Sequence, residues 1–218
     1  MATKKEPITS NEAEAQIDAI DRIGIETIEV PIRGTAPLIV HRFSEKEKRK
    51  MLDNMQGRKT PKENKDPNAE YEAAFYRIKG TDDYGFPVLA FKAATIGAAR
   101  FYGKSVTMTA LKQFLFFRGV PGEDGMSMAV INGEPEMRED VVRVNRGGSD
   151  LRYRPIFHEW STTLTVMYVQ SALTRGSVLS LIDAGGLGVG VGEWRPEKSG
   201  DFGTYEIDPT REVEVLKP

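Results

Sequence analysis

The chain has no cysteine, and only two histidines and two tryptophans among its 218 residues. The first absence removes disulfide scaffolds, thiolate zinc sites and cysteine nucleophiles. His41 and His158 stand far apart and form no His-x3-His pattern, so no metal and no cofactor are expected. Long apolar runs are missing as well. Nothing approaches the roughly 18 residues needed to cross a bilayer, and the opening Met-Ala-Thr-Lys-Lys-Glu lacks the apolar core of a signal peptide. A cytoplasmic protein is the expectation. Nor is there an excess of one charge: the net charge is −2. Any nucleic-acid site must therefore be a local basic patch rather than a global field.

What is present is a soluble composition, with 28% charged and 39% hydrophobic residues. The length suits one domain spanning 1–218, with one sizeable core and a large insertion. The charge segregates. Between His41 and Lys65 nine Lys or Arg stand against four acids, a local +5. Glycine segregates too. Seven glycines fall between Asp183 and Ile207, at 185, 186, 188, 190, 192, 200 and 203. Val189, Val191, Trp194, Phe202 and Tyr205 stand among them, so this is no flexible linker. A helix-like segment precedes it and a strand-like one follows, the reverse of the dinucleotide fingerprint. Packing or a ligand must account for it, and a tight bulged hairpin is the plainer explanation.

Along the chain, residues 1–24 read as a tail with a short helix at 12–21, opened by the capping-box pattern Thr9-Ser-Asn-Glu12. Ile25–Arg33 alternates, with Ile28, Val30 and Ile32 on one face, and is the first core strand. Residues 42–83 read as a basic helical insertion: a charged helix to about Met55, a Pro- and Gly-bearing loop, and a second helix over 67–78. Val88 to Tyr102 is a helix rich in small residues. Met126–Ile131 and Val141–Val144 are strand candidates, and Trp160–Gln170 is the best strand of all. Thr174–Ala184 is a helix, the glycine-rich loop follows, and Gly203–Ile207 is the last strand, with Val213–Leu216 as a further edge. The order β, insertion, α, β, β, α, β predicts an α+β, ferredoxin-like (RRM-like) split βαβ domain.

Three segments carry a family resemblance. Gly-Thr-Ala-Pro-Leu-Ile-Val-His (34–41) after the first strand, Phe86-Pro-Val-Leu-Ala-Phe-Lys-Ala-Ala-Thr-Ile-Gly-Ala-Ala-Arg100, and Gly192-Glu-Trp-Arg-Pro-Glu-Lys-Ser-Gly-Asp-Phe-Gly-Thr-Tyr205 resemble segments of the RAMP superfamily. The likeness is to the small backbone subunits of CRISPR effector complexes, or to a stand-alone relative encoded by a mobile element. It departs from the family where Pro-Val-Leu-Ala (87–90) replaces the usual Pro-Gly-Ser-Ser before the first helix. The resemblance implies that single-stranded nucleic acid runs across the sheet, held by inserted segments.

Single-strand binding needs cations for phosphates and flat side chains for bases, and this chain interleaves them. Arg42, Lys48, Arg49, Lys50, Arg58 and Lys59 are expected to grip phosphates from the insertion. Arg100, Arg152, Arg154, Arg195 and Lys198 would do so from the sheet and glycine loop, with Phe43, Tyr153 and Trp194 stacking on bases. The expected protein is not an enzyme: it coats single-stranded DNA or RNA as a homo-oligomer or filament, with little sequence preference. Two other classes stay open. One is metal-independent RNA cleavage, with His41 as general base and Arg42 or Lys46 stabilising a phosphorane, or with Asp53 or Asp66 cutting the bound strand. The other is a structural scaffold module that binds no nucleic acid.

Overall fold

A computed structural model of the chain describes residues 22–58, 64–103, 105–144 and 148–217. The expected helix at 12–21 and Lys59 lie outside these residues. The elements begin with β1 (Ile25–Gly34) and β2 (Leu38–Ile39), followed by α1 (Glu45–Met55) and α2 (Pro67–Ala73). Next come β3 (Tyr76–Arg77), β4 (Tyr84–Pro87) and α3 (Val88–Gly97), which tightens into a 3-10 turn at Ala98–Tyr102. They continue through α4 (Met108–Phe114), β5 (Leu115–Arg118), β6 (Val120–Pro121), β7 (Ser127–Val130), β8 (Pro135–Val144), β9 (Gly148–Phe157) and β10 (Ser161–Val169). The chain ends with α5 (Arg175–Gly188), a 3-10 turn at Pro196–Lys198, β11 (Tyr205–Ile207) and β12 (Glu214–Leu216).

The architecture is α+β. A central antiparallel sheet has the order β11-β1-β10-β5, with β12 added to β1 beside β11. Its register places Ile28 opposite Val166, Val30 opposite Leu164 and Ile32 opposite Thr162. The period-2 alternation read from both strands is realised: these residues and Tyr168 are buried, and their neighbours in sequence are more exposed. That sealed face lies under α3 and α5, whose Phe91, Ala94, Val178, Leu181 and Ile182 complete the core. Thr174 caps α5, accepting from the Ser177 amide at 3.2 Å. Among the described residues no helix is long and apolar enough to cross a membrane.

The helix read over 67–78 stops at Ala73, and Tyr76–Arg77 is strand β3; three further features differ from the sequence expectation. First, α5 does not stop at Ala184 but runs through Gly185, Gly186 and Gly188. Tertiary contact overrides propensity here. A Cβ at Gly185 would lie 2.8 Å from the Ala94 carbonyl, one at Gly186 would meet the Tyr205 backbone, and one at Gly188 the Phe101 ring. Three of the seven glycines therefore serve close packing of α5 against α3, the 3-10 turn after it and β11.

Second, the two short strand candidates around 126–144 belong to different sheets. β8 and β9 form a long antiparallel ribbon from Pro135↔Phe157 to Val144↔Gly148, anchored where β9 pairs with β2. Third, β4 and β7 join β3 and β6 in a small sheet of order β3-β4-β7-β6, tied to the main one by Thr162 Oγ1 donating to the Val130 carbonyl at 2.7 Å. In the insertion, Asp66 caps α2, accepting from the amides of Asn68 (3.0 Å) and Ala69 (3.2 Å), and α2 leans on the ribbon with Tyr71 Oη donating to the Pro135 carbonyl.

Candidate nucleic-acid interface

After α5 the glycine loop folds onto the β2 edge through its own backbone. The amide of Val191 donates to Gly203 O (2.9 Å), that of Gly203 to Pro37 O (2.8 Å) and that of Glu193 to Ile39 O (3.0 Å). Gly190 and Gly192, with φ of 68° and 78°, make the two left-handed corners that this path requires. The result fixes Glu193 beside His41. Their Oε1 and Nδ1 are 3.6 Å apart, and the other Glu193 oxygen is 3.5 Å from Arg154 Nη1.

Between the loop, β3, β4 and α3 lies a cleft of about 240 Å³. Phe86, Ala90, Val189 and Val191 give it apolar walls, and His41, Tyr76, Glu193, Arg195 and Glu197 its polar groups. The nearness of His41, and then the charges of Arg154 and Arg152, hold the Glu193 carboxyl below its ordinary range against the opposing effect of burial. Burial pushes the Tyr76 phenol up.

The expected site residues separate around this cleft. Phe43 is exposed and its ring tilts against that of His41 at 5.3 Å. Trp194 is exposed and holds φ 55°, a left-handed backbone that a tryptophan adopts at a cost. Arg195 is on the cleft wall, but its guanidinium already bonds Glu197 (2.8 and 3.2 Å) and Gly192 O (3.1 Å). Lys198 is exposed on the following 3-10 turn. Arg152 is half-buried on the ribbon and acts on Glu193.

Two residues are corrections. Arg154 is 1% exposed, with Nη2 2.5 Å from Asp140 Oδ2. It is an internal tie between ribbon and loop, out of reach of a phosphate. Tyr153 is one step along the strand from both arginines and so on the opposite ribbon face, where it pairs across the register with Glu139. It does not share a face with Arg152 or the glycine loop.

The remaining cations are not brought to the cleft. Arg42 turns toward Asp124 at 3.7 Å. Arg100 is exposed on the turn after α3. On α1, Lys48 and Arg49 are exposed and Lys50 is half-buried, while Arg58 just beyond it makes a loose pair with Asp53 at 3.8 Å. Of the alternative catalytic groups, Asp66 serves as a helix cap, and His158 is exposed beside Glu136 at 3.5 Å, away from the cleft lining. Among the described residues no group of three or more His, Asp or Glu could hold a metal.

The sequence reading did not single out Glu193, Tyr76 or Arg138, and named Phe202 only as one of the residues that interrupt the glycines. Arg138 lies over the Phe202 ring at 5.1 Å, joining ribbon to loop. Glu193 had a visible signal, an acid set between a glycine and Trp194 in the loop. Tyr76 and Arg138 had none, because their partners are brought from other elements.

No family model and no curated protein matches this sequence. Among solved structures, the chain is similar to a chain of a type III-B Cmr-beta complex bound to cognate target RNA, with TM-score 0.48 and 10% identity. That likeness covers 95% of this chain but only 66% of the other. A second likeness is to Cmr6 from Pyrococcus furiosus, with TM-score 0.41, 10% identity, and coverage of 86% of this chain and 100% of that one.

Proposed function

We propose that this protein binds single-stranded nucleic acid, with the strand passing the mouth of the glycine-loop cleft and α1 supplying further cations for its phosphates. One observation carries the reading: His41 and Phe43 after β2, Arg152 on the ribbon and Trp194 in the loop itself, three separate segments, are gathered around Glu193. Exposed aromatic rings beside cations are what a sequence-tolerant single-strand site requires, each stack contributing about 1–3 kcal/mol. The frame beneath is read as a split βαβ, ferredoxin-like domain. The strand order β11-β1-β10-β5 with α3 and α5 on one face supports it. We read the binding as that of a homo-oligomer coating a strand, without cleaving it.

The test is fluorescence anisotropy of labelled oligo-dT, oligo-U and a matched duplex at three salt concentrations, with the strands run on a gel afterwards. Salt-sensitive binding to intact single strands is expected. Replacing Arg49, Lys50, Arg58 and Lys59 together by Ala should flatten the salt slope, by about 0.7 in log–log terms for each phosphate that is no longer neutralised. Unchanged affinity in that variant would remove α1 from the site. A second reading has its own observation: His41 lines the cleft with a carboxylate partner, which is the setting of a general base. Shortened oligo-U on the gel, absent with His41→Ala, would establish cleavage instead.

A further inference from the structure

We propose that the glycine-loop cleft receives one nucleobase turned out of the bound strand, and that Glu193 selects guanine. This rests on the single-strand reading above and adds one position of preference to an otherwise tolerant grip. The cleft does not suit a phosphate. Two carboxylates, Glu193 and Glu197, line it, and Arg195 is already held by Glu197 and the Gly192 carbonyl. An uncharged ligand with N–H donors fits that lining better than an anion.

Size and walls point the same way. At about 240 Å³ the cleft falls below the roughly 300–1,000 Å³ of pockets for drug-sized ligands, which suits a single ring system. Phe86, Ala90, Val189 and Val191 supply apolar walls, with Tyr76 as the aromatic surface among the polar groups. The cleft adjoins the exposed Trp194 and Phe43, where neighbouring bases would stack.

The choice of base follows from Glu193. Its pairs with His41 and Arg154, at 3.6 and 3.5 Å, are longer than the roughly 2.7–2.9 Å of a charge-assisted hydrogen bond. Its oxygens therefore remain able to accept closer donors. A carboxylate accepts two parallel N–H bonds only from a base that offers two adjacent donors. Guanine does so, with N1–H and N2–H side by side. Adenine and cytosine each place an acceptor nitrogen next to the amino group, and uracil flanks its one N–H with carbonyls.

The experiment measures anisotropy on whichever backbone, oligo-U or oligo-dT, binds more tightly. Three labelled strands are compared: unmodified, with one central guanine, and with inosine in its place, which lacks the N2 amine. The guanine strand should bind roughly tenfold or more tightly than the unmodified one, and inosine should lose most of that gain. Glu193→Gln should erase the ratio. So should Ala93→Phe, which fills the cleft from an exposed lining position and leaves Glu193 untouched. Equal affinity for all three strands, or a ratio retained in both variants, would overturn the guanine site while leaving strand binding standing. Binding to none of the strands would overturn both.

Discussion

The arginines of the ribbon and glycine loop and those of α1 look alike in sequence and behave oppositely in the fold. Arg154 is sealed between Asp140 and Glu193, Arg195 is closed on Glu197, and Arg138 bonds Asp140 at 2.9 Å. Arg49 and Arg58 stand in solvent on and just after a helix whose Met51, Leu52 and Met55 are also uncovered. The difference teaches where an arginine's charge goes. When the register brings a carboxylate across, the guanidinium becomes architecture and holds a loop in place. When it does not, the charge stays in solvent, with at most a loose pair such as that of Arg58 with Asp53. The loop group therefore shapes the cleft, and the proposed function gives the α1 group the task of electrostatic attraction.

The largest expected effect separates the two groups on stability. Arg154→Ala leaves the Asp140 carboxylate, which is 10% exposed, with Arg138 as its partner, and should destabilise the fold by about 3 kcal/mol, the lower end for a broken buried pair. The four-alanine variant of α1 and the segment after it should shift stability by only about 0.5 kcal/mol or less per site. Urea unfolding of both proteins measures this. If the α1 variant proved the less stable, the assignment of architecture to one group and attraction to the other would be reversed.

This contrast also marks what the sequence could disclose. Alternation in Ile25–Arg33 and Trp160–Gln170 identified the two central strands, because one face of each is buried under helices and the other is not. The glycine loop was visible as a site because rings and cations interrupt the glycines. The burial of Arg154 was not legible. Its partner Asp140 lies 14 residues away, across a ribbon whose strands mix charged and apolar residues and show no clean period. The pairing of His41 with Glu193 joins residues 152 positions apart by their numbering, and only the backbone path of the loop onto β2 brings them together. Gly185, Gly186 and Gly188 pointed to a loop for the same reason: their helix is stabilised by close packing that propensity does not contain.

A middle-sized effect tests the loop from the ligand's side. Trp194 holds a left-handed backbone and an exposed ring, its carbonyl accepting from the Phe202 amide at 3.1 Å. Trp194→Gly relieves the backbone, which offsets the added freedom of the unfolded chain, so the melting temperature should stay within a few degrees of the parent. Single-strand affinity should fall by about 1–3 kcal/mol, the value of one stacked base. Calorimetry and anisotropy on the same preparation read the two quantities separately. A lowered melting temperature with unchanged affinity would make Trp194 part of the architecture, like Arg154.

The smallest effect concerns a guanidinium–carboxylate pair intermediate between the two groups, at the far end of β1. Arg175 donates to both Glu26 oxygens, at 2.9 and 3.0 Å, and the Tyr168 hydroxyl donates as well. The Arg175 side chain is 48% exposed and that of Glu26 14%, so this pair is neither sealed like Arg154 nor open like Arg49. Bonds from Arg175 first, then Tyr168, lower the Glu26 carboxyl from its ordinary 4.5 to about 2. A carboxyl depressed in the folded state binds its proton more readily when unfolded. Its contribution is therefore complete above pH about 4.5 and disappears as pH falls toward about 2. With solvent reaching Arg175, that contribution should be only about 1 kcal/mol. Glu26→Gln should lower stability at neutral pH by that amount and flatten the acid limb between those two pH values. If the parent and the variant lost stability in parallel from pH 4.5 to 2, this pair would belong with the solvent-facing α1 cations, and burial rather than pairing would be what turns an arginine into architecture.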